Sequence, residues 1–447
     1  DQTILPSDAE FKGYEDVVVQ DVLFRADNVR FRKEKYWVPS LGQTFLASLP
    51  LGYEGEFGPG LKALSVTLYF GGGMSERKIL TLYQDMGIQI SAGQMSNFLV
   101  KNQDEFHVEK EEACEAGLAS SPFQHIDQTG TRVDGQNQHC TIVCNPLYTS
   151  YNTTPTKDRL SVLDALRNGR ARRFRLNEEA LGYLASVPLS KAVRTWLSAE
   201  CRDQDWDEET FVTRLDTRWP NLSEQQRQAV LSAAAVAAYH AATDTPIVRL
   251  LVCDDAPQFN WLAEQLALCW VHEGRHYKKL IPAFVNHLKL LAEFRGKFWD
   301  YYDELLAYQK NPTPEERARL EKEFDRLFST RTGYDHLDAR IAKTREKKAA
   351  LLMVLKHPEI PLHNNPVELE ARQRVRKRDV SFGPRTAEGV KAWDTFQSLA
   401  ATTKKLGISF HQYVHDRISK AYQVPSLASL IEARAQELKL GTSWSTA

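Results

Sequence analysis

No apolar run in this chain approaches the roughly 20 residues that a membrane-crossing helix needs, and the opening stretch DQTILPSDAE lacks the basic-then-apolar order of a secretory signal. These absences point to a cytoplasmic protein with no membrane partner. Paired C-x-x-C spacing is missing as well. The six cysteines, Cys114, Cys140, Cys144, Cys201, Cys253 and Cys269, are scattered, which argues against a zinc ribbon or a disulfide scaffold and for reduced thiols. The glycine triplet Gly71 to Gly73 has neither the spacing nor the lysine of a phosphate-binding loop, so it reads as a hinge. Net charge is nearly absent, at −1, so any affinity for nucleic acid has to come from local patches. A starting methionine is also missing, which leaves room for an upstream module.

What is present is a globular composition, 42% apolar and 26% charged over 447 residues, long enough for more than one core. Residues 15–50 are rich in β-formers, with Arg25, Arg30, Arg32, Lys33 and Lys35 interleaved, and suggest either a basic β-module or a solvated strand face. From residue 60 the pattern is helical. Ser75 can cap one helix, Gly87 can stop it, and Ser91 can cap the next. On that second helix Gln94, Ser96 and Asn97 are short polar side chains suited to base edges or phosphates. The same pattern also describes two ordinary core helices. Residues 122–150 predict a β-hairpin turning at Asp134-Gly135. The segment 170–245 reads as mainly helical, IVRLLVC as a buried strand, 258–266 as a short helix, and 281–357 as long charged helices broken near Pro312 and Gly333.

Three carboxylates stand apart from this background. Asp127 interrupts a largely apolar strand, where a charge is costly unless it is paired or binds a cation. Asp254 and Asp255 follow the apolar strand, at the end where open α/β sheets present ligands. Asp255, Pro257 and Gln258 match a capping box, leaving Asp254 to face a site. Asn365, Pro366 and Glu368 match a second capping box, and Val367, Ala371 and Val375 form a buried stripe beside Glu368. Glu368 is also placed to pair with Arg372, while Glu370 points elsewhere around the helix. Cys269 and His272 have half the spacing of a zinc site. With no second pair, a structural role is the preferred reading, and Arg275 nearby suits a phosphate contact.

Several stretches together resemble the transposases of the insertion sequence 66 family, which carry an Asp-Asp-Glu catalytic set. HIDQTGTRV resembles the family's first aspartate strand, LLVCDDAPQF the second, and LCWVHEGR its Cys-Trp-x-His-x-x-Arg segment. LHNNPVELEARQRVRKRDVSFG resembles the Asn-Asn-x-x-Glu segment, and SLAATTKKLGISFHQYV the C-terminal tail. His363 and Leu369 depart from the pattern, standing where the family often has Asp and Arg. The 170–245 block lengthens the gap between the aspartates, and no cysteine-rich module precedes the core.

The resemblance implies an α/β fold with a ribonuclease-H-like mixed-sheet core drawn from residues 119–169, 246–273 and 359–385. Helical insertions fall at 170–245 and 274–358. A basic β-rich module occupies 1–57, a helix-turn-helix-like region 58–118 and a helical tail 386–447. It implies Asp127, Asp254 and Glu368 as catalytic residues holding two Mg²⁺ ions, for which Mn²⁺ can substitute, with Asn364 and Asn365 structural beside them. DNA contacts are expected at Gln94, Ser96, Asn97, Arg275, Arg372, Arg376, Lys377 and Arg378. The expected partners are double-stranded DNA at element ends and target, a second copy or higher oligomer, and accessory proteins of the same element. The expected activity is cleavage at the ends followed by transfer of the freed 3′-hydroxyl. The alternatives are a DNA-binding relic that no longer cuts, and a nuclease that cleaves without joining.

Overall fold

A computed structural model describes residues 5–23, 25–201 and 203–440. The expectations for the first four residues and for the end of the tail, 441–447, lie outside the described residues. Residues 5–34, where described, carry no helix or strand. The β-rich reading of 15–50 therefore narrows to one hairpin, β1 (Lys35–Val38) with β2 (Gln43–Leu46). Val17, Val18, Val19 and Val22 are exposed. β-propensity reflects packing on a half-buried surface, and here no surface is offered.

Four helices follow, α1 (Pro59–Val66), α2 (Glu76–Asp85), α3 (Ala92–Val100) and α4 (Asp104–Ala119). A π-helical turn at Thr67–Gly71 ends α1. The Ser75 side chain accepts from the Lys78 amide and that of Ser91 from the Gln94 amide, and Gly87 turns the chain between α2 and α3 with φ 76°.

The central sheet begins with β3 (Phe123–Val133), β4 (Gln136–Cys144) and β5 (Thr149–Thr154). Asp134 and Gly135, both left-handed, make the tight turn between β3 and β4. Next come α5 (Arg159–Leu166), β6 (Arg173–Arg175), α6 (Glu178–Leu184), α7 (Lys191–Ala199), β7 (Asp205–Asp207), α8 (Glu208–Arg218) and α9 (Glu224–His240). The chain then returns to the sheet with β8 (Leu250–Cys253) and β9 (Gln265–Leu268). The order is β5-β4-β3-β8-β9, antiparallel on the β4 side of β3 and parallel on the β8 side, while β6 and β7 form a separate pair. The short helix expected at 258–266 is instead one 3₁₀ turn, Pro257–Phe259, followed by β9. Pairing with β8 decides the state of this short apolar segment.

Beyond the sheet lie α10 (Trp270–Lys278), α11 (Val285–Lys310), α12 (Pro314–Leu327), α13 (Asp335–Glu346) and α14 (Lys348–Leu351). They enclose their own aromatic core around Trp270, Tyr277, Phe294, Phe298, Phe324 and Phe328. The chain ends with α15 (Asn365–Ser381), α16 (Ala387–Lys405), α17 (Phe410–Ile418) and α18 (Leu427–Glu437). The molecule is thus a mixed α/β protein with one five-stranded mixed sheet and many helices. No helix among the described residues is long and apolar enough to cross a membrane.

Strand alternation assigns the two faces of the sheet. Ile126, Val143, Leu251 and Cys253 face the main core. On the other face, Cys140, Ile142, Cys144 and Tyr151 pack against Val367 and Ala371 of α15. Asp127 pairs with Ile142 in register, so it lies on the face that α15 covers.

Candidate active site

β3 and β8 run parallel, with His125 beside Val252. Asp127 lies two residues beyond the last paired position of β3 and Asp254 just past the end of β8, close enough for the charge of Asp254 to act on Asp127. Asp127 Oδ1 accepts the amide of Gln128 at 2.7 Å. Asp254 Oδ1 accepts the amide of Ala256 at 3.1 Å. The capping box expected at Asp255 does not form: Ala256 holds the cap position without a side-chain bond, Gln258 donates to Gln128 Oε1 at 3.0 Å, and Asp255 pairs with Lys347. Asp255 still points away from the site, through an ion pair rather than a cap.

Glu368 enters from α15. This helix also lacks the expected capping box, because it begins at Asn365 and Asn364 makes no side-chain cap. Asn364 is held elsewhere. Its Nδ2 donates to Ile126 O at 2.9 Å, its Oδ1 meets His125 Nδ1 at 2.8 Å, and its amide donates to Cys269 Sγ at 3.3 Å. One buried side chain thus ties the start of α15 to β3, and its backbone ties it to the residue before α10. Cys269 serves as an acceptor in that tie. Asn365 and Leu369 are exposed, and His363 is half-buried.

Glu368 is 12% exposed and is gripped on one oxygen only. Its Oε2 accepts from Arg275 Nη2 at 3.1 Å, with Arg372 Nη2 4.0 Å away. Its Oε1 faces His272 Nδ1 at 3.6 Å, and neither atom has a hydrogen-bond partner. Arg275 Nη1 lies 2.9 Å from His272 Nε2. A guanidinium only donates, so Nε2 must accept and the imidazole proton belongs on Nδ1, directed at Glu368. Cys269, His272 and Glu368 offer donor atoms within 4.8 Å of one another. With the cysteine engaged by Asn364 and the histidine carrying a proton toward Glu368, however, this trio is poorly disposed to bind zinc.

Burial pushes the Asp127 carboxyl up to about 6. The Gln128 amide opposes that shift, and the charges of Asp254 and Glu368 add to it. Burial also lowers the pKa of His272, against the pull of Glu368. The site opens into a groove of ≈ 410 Å³ lined by Asp127, Thr129, His272, Arg275, Glu368, Arg372 and Arg376 among others. Asp254 is not part of that lining, though its charge acts on both Asp127 and His272.

The basic run of α15 divides into two sets. Arg372 and Arg376 are exposed on the groove, whereas Arg374 is fully buried on Asp394 at 2.8 Å, Thr153 and Gln397. Lys377, expected to touch DNA, is instead buried. It donates to Met74 O at 2.7 Å and sits 3.2 Å from the centre of the Tyr69 ring. The buried stripe thus continues through Arg374 and Lys377 rather than Val375, which forms part of the groove wall. Arg378 is partly exposed, donating to Gly130 O at 2.9 Å and pairing with Asp379.

Gln94, Ser96 and Asn97 are half-buried. Gln94 and Asn97 line a different cavity, of ≈ 520 Å³, with Lys62, Lys101, Arg417 and Lys420, while Met95, Phe98 and Leu99 of the same helix enter the core. The sequence reading missed Glu273, which is buried and holds Arg340, Thr344 and Lys347. Its position between Trp270 and Tyr277, one helical turn from each, marks it as lying on a buried face.

A family model described as the transposase IS66 family matches residues 233–392, a span that holds Asp254, the Cys269–Arg275 segment and Glu368. The uncharacterized protein y4jO of Sinorhizobium fredii (strain NBRC 101917 / NGR234) is 34% identical over 324 residues, covering 72% of this chain and 99% of that protein. No solved structure matches. With that match over the segments that carry His272, Arg275 and Glu368, and a relative 34% identical over almost its whole length, the chain belongs to the IS66 family of transposases.

Proposed function

We propose that this transposase cuts and joins DNA with a ribonuclease-H-like core in which Asp127, Asp254 and Glu368 hold two divalent cations. The observation that carries the reading is convergence. Asp127 on β3 and Asp254 just past the end of the parallel strand β8 act on each other by charge, and a helix across the face of Asp127 brings a glutamate whose Oε1 is unpartnered. Burial raises the Asp127 carboxyl first and the charges of Asp254 and Glu368 add to it, and a bound cation would offset both. Hard oxygen donors suit Mg²⁺, with Mn²⁺ able to replace it.

When bound, such a metal pair polarises the scissile phosphodiester and activates a water or a DNA 3′-hydroxyl. The chain's own contribution is positional. Arg275 and His272 fix the Glu368 carboxylate, Asn364 fixes the helix that carries it, and Arg372 and Arg376 offset the charge between carboxylates and phosphate. The paired helices α2 and α3, with Gln94, Ser96 and Asn97, are assigned to element-end DNA. A second copy supplies the other end, and accessory proteins of the element complete the assembly.

The test incubates the protein and Mg²⁺ with a labelled element-end duplex and a target plasmid. Strand-joined product is expected. Asp127→Asn, Asp254→Asn and Glu368→Gln each lower joining by about 10²- to 10³-fold with folding retained. Cleavage without joining would mark a nuclease, binding without cleavage a relic, and joining that survives all three substitutions would remove the site assignment.

A further inference from the structure

The C-terminal end of α15 carries a feature that the groove at Glu368 does not use. Phe382 is the cap residue of the helix, with φ 62°, and its side chain is 84% exposed. A bulky residue in the left-handed region is strained, and strain of this kind persists where the surroundings over-determine it. They do so here. The Phe382 amide donates to Arg378 O at 2.7 Å, the Asp134 amide donates to Pro384 O at 2.9 Å, and a side chain on Gly383 would meet Arg132 O at 2.2 Å. The ring therefore stands on a corner locked between a helix end and the β3–β4 hairpin.

Around it lies a second groove, of ≈ 920 Å³, whose lining includes Arg132, His139, Arg378 and Arg385 as well as Asp134 and Asp379. Asp379 is neutralised by Arg378 at 3.0 Å. Both grooves draw their lining from β3 and α15: Thr129 and Arg376 line the first, Gly130 and Arg378 the second. We propose that this second groove binds a single strand of DNA, with an unstacked base lying on the Phe382 ring and its flanking phosphates on Arg132, Arg378 and Arg385.

The inference rests on the transposase reading and extends it to how the strand leaves the site. A duplex hides most base faces unless it is kinked open, so an exposed ring meets a base face at least cost where the base has already left the stack. A helix C-terminus is partly negative, so phosphates belong with the arginines and the uncharged ring meets the base. From Glu368 to Phe382 is roughly 21 Å along the helix, at ~1.5 Å per residue.

The test measures affinity by fluorescence anisotropy, without divalent metal, for a labelled oligothymidylate strand and for a blunt duplex. Phe382→Ala is expected to weaken strand binding roughly 5- to 150-fold and duplex binding less than twofold. Phe382→Trp is expected to bind the strand at least as well as the native residue. Phe382→Gly separates this role from a structural one: relief of the left-handed strain raises Tm while strand affinity falls. Strand affinity unchanged in Phe382→Ala, or equal losses for strand and duplex, overturns the inference even if end cleavage and joining are intact. Conversely, strand binding through Phe382 in a protein that neither cuts nor joins would overturn the catalytic reading alone.

Discussion

Around Arg417 every guanidinium N–H finds an acceptor, whereas around Glu368 a carboxylate oxygen and a ring nitrogen face each other at 3.6 Å without partners. Arg417 takes both oxygens of Glu109 at 2.9 Å, Asp416, Val424 O at 2.8 Å and Pro425 O at 3.1 Å. Asp416 in turn receives the amides of Gln423 and Val424. Both clusters mix acids with bases, yet the one at Arg417 is buried and complete while the one at Glu368 opens on a groove and is not. A closed cluster holds α4, α17 and the start of α18 together. An open one keeps donor capacity for something that arrives later.

The largest expected effect lies in the closed cluster. Arg417→Met leaves Glu109 and Asp416 buried without a cation and should cost about 3 to 5 kcal/mol of stability, measured by denaturant unfolding. The catalytic rate per folded molecule should not change, and a mild stability loss would mean that the cluster is less closed than its geometry implies.

Removing a charge from the open cluster should act in the opposite sense. The Asp127 carboxyl, with its pKa at about 6, holds its proton more tightly folded than unfolded. That stabilisation is full below about pH 4 and is lost as pH rises through 6. Asp127→Asn should therefore stabilise the metal-free protein by roughly 1 to 3 kcal/mol at pH 7.5 and flatten the slope between pH 4 and 6. Saturating Mg²⁺ should raise Tm for the native protein and not for the variant. A destabilised variant would place this carboxylate among the closed pairs.

A smaller change is expected one step out. His272→Ala leaves the three carboxylates in place but frees Glu368 to rotate, and should lower Mg²⁺ affinity about 10- to 100-fold by calorimetry. An unchanged affinity would mean that Arg275 alone sets the carboxylate.

A last effect appears only in acid. His107, on α4 beside Glu109, is buried against Thr395 at 2.7 Å, and burial pushes its pKa down to about 4. The unfolded chain takes up a proton near 6.5 that the folded chain refuses, so stability falls as pH drops from about 6.5 toward 4. Melting curves across that window should be shallower for His107→Asn. A slope that survives unchanged would move the acid sensitivity to other groups.

The three carboxylates were legible because each breaks a local rule: a charge inside an apolar strand, a doubled aspartate at a strand end, an acid beside a buried stripe. For Asp255 spacing alone suggested a capping box, which does not form, and only the fold brings Lys347 to it. Asn364 was placed near the site, but the bonds that hold it come from residues some 240 positions earlier in the chain. Lys377 misled because a basic run reads as a solvated face. At about 100° per residue, Arg374 and Lys377 lie about 20° and 80° from Val367, within reach of the buried face, while Val375 lies about 80° away on the opposite side. Tyr69 and Met74, far away in sequence, decide which flank is covered. Residues 15–34 failed for the complementary reason, having strand-forming side chains but nothing to pack against.

The separate aromatic core of α10 to α14 bears on how such a protein can change over generations. It is joined to the sheet by a small apolar cluster, Met353 and Ile360 against Phe123, Leu250, Val252 and Ala267, and by a few bonds: Asn364 to Cys269, Trp270 to Leu362, and Lys347 between Asp255 and Glu273. A protein that keeps those anchors can lengthen, shorten or recharge the outer faces of α11 to α13 without disturbing the sheet that carries Asp127.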